Sequence, residues 1–132
     1  MASPADPAEL SAAFAAALRR GDVEAALEMW AEDAAIVSVT GEPVRGREAI
    51  GAALRALIDN GTRADIELTR TIAAGDVAVG LGTLTLSGTG ADRGEYRQRS
   101  TSTVIYSRRP DGRWQIALDA PWGLPAGDAP AG

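Results

Sequence analysis

The chemistry open to this chain is bounded first by the side chains it lacks. Among 132 residues there is no histidine and no cysteine, and all 13 basic residues are arginine. That removes imidazole acid–base catalysis, thiolate nucleophiles, the usual zinc and haem ligands, and a lysine Schiff base. Proton transfer would have to rest on carboxylates, hydroxyls or ordered water. Several such groups stand at useful spacings. Gln98, Ser100, Ser102 and Val104 recur every second residue in one extended run, so they share a strand face. Gln115, Ala117 and Asp119 do the same in the last extended run, and Ser38 sits near the end of an earlier one. An aspartate flanked by Leu118 and Trp122 would be partly desolvated, which raises its pKa and fits it to give or take a proton near neutrality. The plainer role for Asp119 is to accept hydrogen bonds from Ser102, Gln98 or a backbone amide at the sheet end.

The elements that must position these groups are legible from capping residues and periodicity. Asp6-Pro7-Ala8-Glu9 combines an N-cap acid, a proline at the first helical position and a glutamate at the third, so a helix starts there. Leu10, Phe14 and Leu18 form its apolar stripe and Gly21 ends it. Asp22 caps a second helix, with Val23, Leu27 and Trp30 expected on one face. Ala34 to Thr40 reads as a strand ending at the turn Gly41-Glu42-Pro43, and Arg47 to Asn60 as a third helix carrying Ile50, Leu54, Leu57 and Ile58. Four extended runs follow: Ile66 to Ile72, Val77 to Ser87, Glu95 to Tyr106, and Arg113 to Ala120. They are separated by Gly- and Asp-containing turns. Three helices around one early strand, then a meander, predict an α+β fold with helices covering one face of a curved antiparallel sheet of five to six strands.

Composition sets the outer limits. The length fits one domain, expected over residues 7–123, with residues 1–6 and 124–132 as flexible ends. Hydrophobic residues at 45% and charged residues at 23% are those of a globular chain. A net charge of −5 without clustered cations argues against nucleic acid. No apolar stretch nears the roughly 18 residues of a membrane span and no secretory leader is visible, so a cytoplasmic protein is expected. No dinucleotide or phosphate-loop pattern accompanies Gly80 and Gly82, so no cofactor and no metal are expected. Those glycines mark either a bend or room for a ligand.

Gly21-Asp22, Trp30-Ala31-Glu32-Asp33-Ala34, Arg45-Gly46-Arg47-Glu48-Ala49-Ile50 and the closing run Gly112 to Gly123, in this order, resemble the nuclear transport factor 2-like superfamily. The nearest branch is the SnoaL-like ketosteroid isomerase homologues. The resemblance implies a cone-shaped sheet enclosing a pocket for a small hydrophobic molecule, and a homodimer formed through the sheet. Its members include isomerases, cyclases, dehydratases and plain binding proteins. In the steroid isomerase branch a carboxylate base, a tyrosine and a protonated acid do the chemistry. Carried over, those positions fall on Ser38, Phe14 and Ser102, and two supporting tyrosines on Trp30 and Leu54. A hydroxyl with no adjacent base does not abstract a carbon-bound proton, so that mechanism is not expected.

The same resemblance turns Ser102 inward, and with it Gln98, Ser100 and Val104, and likewise Asp119 on the last strand. Asp119 is therefore the candidate catalytic acid/base. Phe14, Trp30, Ser38, Leu54, Leu57, Gln98, Ser100, Ser102, Val104 and Trp122 are candidate ligand contacts. Trp114 is expected on the face opposite Asp119, as packing or a dimer contact, and Arg97 and Arg99 outside, pairing with Asp65 or Glu67. Three readings follow: a cofactor-free isomerase, cyclase or dehydratase working through Asp119, a ligand-binding protein with the same cavity, and a dimeric interaction protein whose cavity is filled.

Overall fold

A computed structural model describes residues 6–38, 41–90 and 94–120; Trp122 and both chain ends lie outside the described residues. Helix α1 spans Pro7–Arg19 and α2 spans Val23–Glu28. Each starts on the acid predicted for it. An Asp6 carboxylate oxygen accepts the Ala8 amide at 2.8 Å, and that of Asp22 accepts the Ala25 amide at 3.1 Å. Gly21, at φ 74°, turns the chain between them. Strands β1 (Trp30–Val37) and β2 (Pro43–Arg45) precede α3 (Arg47–Asp59), and β3 (Arg63–Ala74), β4 (Val77–Gly90), β5 (Gly94–Arg108) and β6 (Trp114–Ala120) complete the order.

The six strands form one open sheet in the order β2-β1-β6-β5-β4-β3. β3 to β6 are the antiparallel meander that the turns predicted. The β1–β6 pairing is parallel, so the sheet is mixed rather than antiparallel throughout. Two other boundaries differ from expectation. Trp30 belongs to no helix, since it opens β1, which begins four residues before the expected strand start at Ala34. Pro43–Arg45 forms a short strand directly after Gly41 and Glu42, where a turn alone is expected from sequence.

The helices pack on one face of the sheet. Leu10 and Phe14 of α1, Val23 and Ala26 of α2, and Ile50 and Leu54 of α3 meet Trp30, Val104, Tyr106, Trp114 and Ile116 in one buried cluster. Each large side chain so buried contributes roughly 1.5–3 kcal/mol, and this packing fixes the helices over the sheet. Gln98, Ser100, Ser102, Val104 and Tyr106 alternate with outward residues along β5, and their neighbours on β4 in register are Leu86, Leu84, Gly82, Gly80 and Ala78. On this face β5 passes from the polar Gln98, Ser100 and Ser102 to Val104 and Tyr106, while β4 passes from Leu86 and Leu84 to the small residues Gly82, Gly80 and Ala78.

Candidate functional site

The last strand is not regular. Tyr106 pairs with Ile116 but Ile105 pairs with Leu118, so Ala117 is an extra residue, a β-bulge. Strict alternation would turn Asp119 away from the face that carries Trp114 and Ile116. The bulge shifts the phase, so that Trp114, Ile116 and Asp119 are all buried while Leu118 is exposed. A bulge that re-aims one side chain is a common device beside functional sites. Asp119 then lies opposite Val104 on β5 and Ile36 on β1.

On this face is a cavity of about 50 Å³, walled by Phe14 of α1, Ile36 of β1, Leu54 and Leu57 of α3, and Leu84 and Leu86 of β4. Ser102 and Asp119 supply its polar groups. That volume admits water-sized occupants and is well below the roughly 300 Å³ of a drug-sized ligand site. Oδ1 of Asp119 is buried with no hydrogen-bond partner among the described residues. Burial pushes the Asp119 carboxyl from its ordinary 3.8 up to about 7. Near neutral pH this carboxyl is therefore divided between its acid and its base form.

A second polar group stands close by. The Tyr106 hydroxyl is hydrogen-bonded to the Ser11 hydroxyl of α1, and Tyr106 is fully buried. Burial pushes its phenol up, the Ser11 bond opposes this, and the negative charge of Asp119 adds to the rise. The phenol therefore stays protonated. Gly80 makes its place: a methyl group there would lie 2.8 Å from the Tyr106 hydroxyl. The room that Gly80 provides is taken by a tyrosine, not by a ligand. Gly82 answers to the backbone, because a Cβ would fall 2.1 Å from the Glu67 carbonyl, where β3 bulges between Leu68 and Arg70. Tyr106 and Ser11 were not among the residues singled out from sequence. The signal was there, since Tyr106 continues the period-two series Ser100, Ser102, Val104.

Of the other candidates, Phe14, Leu54, Leu57 and Ser102 line the cavity together with Asp119. The rest do not. Trp30 is buried behind this wall, its ring 5.5 Å from that of Phe14 in an edge-to-face contact, and its carbonyl accepts from Arg47 at 3.0 and 2.6 Å. Val104 packs in the core. Ser38 follows the last residue of β1, half-buried, where its backbone closes a turn with Gly41 and Glu42. Ser100 is half-buried, and Gln98 is exposed although it pairs in register with the buried Leu86. Trp114 is a core residue, not an outward one, and the Arg108 guanidinium lies 5.0 Å from its ring centre. Arg97 and Arg99 are exposed, but Asp65 pairs with Arg19 and Arg63 instead, at 3.7 and 3.1 Å.

Four residues that line the cavity, Leu18, Leu54, Leu57 and Ala64, also line a surface groove of about 540 Å³ between the C-terminal ends of α1 and α3 and the start of β3. The cavity thus shares a wall with open space. Among the described residues no three acids gather where a metal ion could be held, and no helix is long and apolar enough to cross a membrane.

Comparison with known proteins gives a consistent family picture. A family model described as a SnoaL-like domain matches residues 11–116. The match ends before Asp119, so the family pattern says nothing about that residue. No curated protein matches by sequence. Among solved structures, one assigned as a calcium/calmodulin-dependent protein kinase II association domain from Xanthomonas campestris superposes with a TM-score of 0.74 at 24% identity, covering 96% of this chain and 94% of its own. One assigned as a dehydratase of the NTF2-like family from Streptomyces avermitilis gives 0.70 at 20% identity, covering 83% and 88%. A ketosteroid isomerase-like protein from Erwinia carotovora atroseptica gives 0.72 at 14% identity, covering 83% and 87%. At these identities the likeness is one of fold.

Proposed function

The chain belongs to the SnoaL-like domain family, and from that premise we propose that it is a cofactor-independent enzyme of the isomerase, cyclase or dehydratase kind, acting on a small hydrophobic compound. The observation that carries this reading is the lone carboxyl of Asp119, buried in an aliphatic cavity with one oxygen unpartnered. A buried carboxyl oxygen left without a hydrogen bond is destabilising for the fold, so a role with a bound molecule accounts for it better than a packing role. With its acid and base forms both populated near neutrality, Asp119 removes a proton from a carbon or hydroxyl and returns it elsewhere on the same molecule. Ser102 orients the substrate's oxygen there; the 50 Å³ of the cavity takes the reacting group alone, and the rest of the compound lies in the adjoining groove. The outer face of the sheet favours a homodimer: Ile72, Val79, Ile105 and Leu118 lie in register across four strands and form an apolar row. A cytoplasmic setting is part of the same reading.

The test starts from whatever small molecule the full chain retains on purification, identified by native mass spectrometry and then supplied to wild-type protein and to Asp119→Asn. Binding should survive in the variant while turnover falls by about 10²–10⁴-fold, the usual worth of a positioned acid or base. Equal turnover in the two proteins rules out Asp119 as the acid/base. A second reading has an observation of its own. Ser38 and Phe14 occupy the positions at which the isomerase-type relatives resembled above carry base and tyrosine, so the cavity holds a single carboxyl. That favours a ligand-binding protein, for which neither protein forms product.

A further inference from the structure

The groove that shares a wall with the cavity is apolar within and cationic at its edge. Arg19 and Arg20 at the end of α1 and Arg63 at the start of β3 stand at its rim. Two acids answer these three cations: Asp65 is shared by Arg19 and Arg63, and Asp22 lies 3.8 Å from Arg20. The rim keeps one positive charge in a chain whose net charge is −5. The negative ends of α1 and α3 that face the groove are partly neutralised by capping bonds. The Ala16, Ala17 and Leu18 carbonyls accept from the Arg20, Asp22 and Gly21 amides, and the Ala56, Leu57 and Ile58 carbonyls from the Asn60, Thr62 and Gly61 amides. Three last-turn acceptors at each end are thereby occupied, which weakens the repulsion of an anion there.

We propose that this groove is the entrance to the cavity and that its ligand is an amphipathic monocarboxylate, the carboxylate held by the Arg19–Arg63 pair and the apolar body passing Leu57 and Ala64 toward the interior. Guanidinium groups match carboxylate geometry with paired N–H donors, and Leu18, Leu54, Leu57 and Ala64, which the groove shares with the cavity, give the ligand's chain an apolar bed behind them. An incoming carboxylate competes with Asp65 for two partly exposed arginines, so it displaces an exposed ion pair, which is weak to begin with. The inference rests on the pocket reading above and adds to it the class of molecule and the direction from which it enters.

Decanoate and decanol, below their aggregation limits, are the probes, and calorimetric titration of the full chain is the readout. Decanoate should bind about 3–10-fold more tightly than decanol at low ionic strength, in line with the strength of exposed ion pairs. Salt should narrow that difference, and Arg19→Gln/Arg63→Gln should abolish it while leaving decanol unchanged. Ala64→Phe should weaken both ligands by closing the path. Equal affinities, an unaffected double variant, decanoate binding that ignores Ala64→Phe, or no binding of either probe would each overturn the assignment. Because binding is read, not turnover, failure of Asp119 as acid/base leaves this result standing, and failure at the rim leaves the Asp119 turnover test unaffected.

Discussion

At the residue scale the feature that needs most explanation is a carboxyl kept where charge is costly. Asp119 has a folded pKa of about 7 against 3.8 when unhindered. The folded state therefore binds its proton more tightly than the unfolded state, so this residue destabilises the fold increasingly as pH rises from about 4 to about 7, then levels off. The three-unit difference corresponds to about 4 kcal/mol at most. Asp119→Asn should thus match wild type in urea unfolding at pH 4 and exceed it by a few kcal/mol at pH 8. Equal stability at both pH values would mean that the carboxyl is solvated after all. The residue was identifiable in sequence as the acid of the last strand, but the reason it points inward was not. Simple alternation turned Ala117 inward with it and sent Trp114 outward. Only the bulge at Ala117 allows Trp114, Ile116 and Asp119 to share a face, and a bulge leaves no mark in a run such as Trp-Gln-Ile-Ala-Leu-Asp.

At the scale of elements, caps and turns were legible while the contacts between strands were not. Asp6 and Asp22 start their helices as read, because capping is local and its signal lies within four residues. The end of α2 was misjudged for the opposite reason. Trp30 continues the helical spacing of Val23 and Leu27, yet it pairs with Ile116 some 86 residues later, and that parallel pairing overrides the local pattern. Gly80 shows the same limit. A glycine in mid-strand reads as a bend or a vacancy, whereas here it is fitted to Tyr106 of the next strand. Gly80→Ala should cost about 1–3 kcal/mol by crowding that phenol. Tyr106→Phe leaves the Ser11 hydroxyl without its partner and should itself cost about 1–3 kcal/mol. In the double variant the two costs should sum to less than their separate values, since removing the hydroxyl relieves part of the clash. Strict additivity in thermal or urea unfolding would show that Gly80 answers to something other than Tyr106.

For the whole molecule, the decisive asymmetry is between the two faces of the sheet. The helices and the core cover the inner face, and the outer one carries Ile72 at 49% and Leu118 at 37% exposure at the ends of an apolar row with Val79 and Ile105 between them. Leu81, also 37% exposed, widens the patch. An isolated exposed leucine means little, but a contiguous apolar strip across four strands is the kind of surface that proteins cover. In the homodimer proposed above, a second copy would cover the strip by placing the same patch against itself, as a two-fold interface requires. A stable dimer of this kind needs to bury at least roughly 1,000 Å², which the strip and its polar surroundings together must supply. Charged residues placed at the two ends of the row, Ile72→Glu with Leu118→Glu, bring four carboxylates into the symmetric interface and should convert the dimer to monomer in analytical ultracentrifugation at about 50 µM, a concentration at which a micromolar dimer is largely assembled. Both positions are surface-exposed in one chain, so its folding should be unaffected and circular dichroism should not change. A wild-type protein already monomeric at that concentration would instead assign the strip to a different partner, and would leave the Asp119 cavity a property of the single chain.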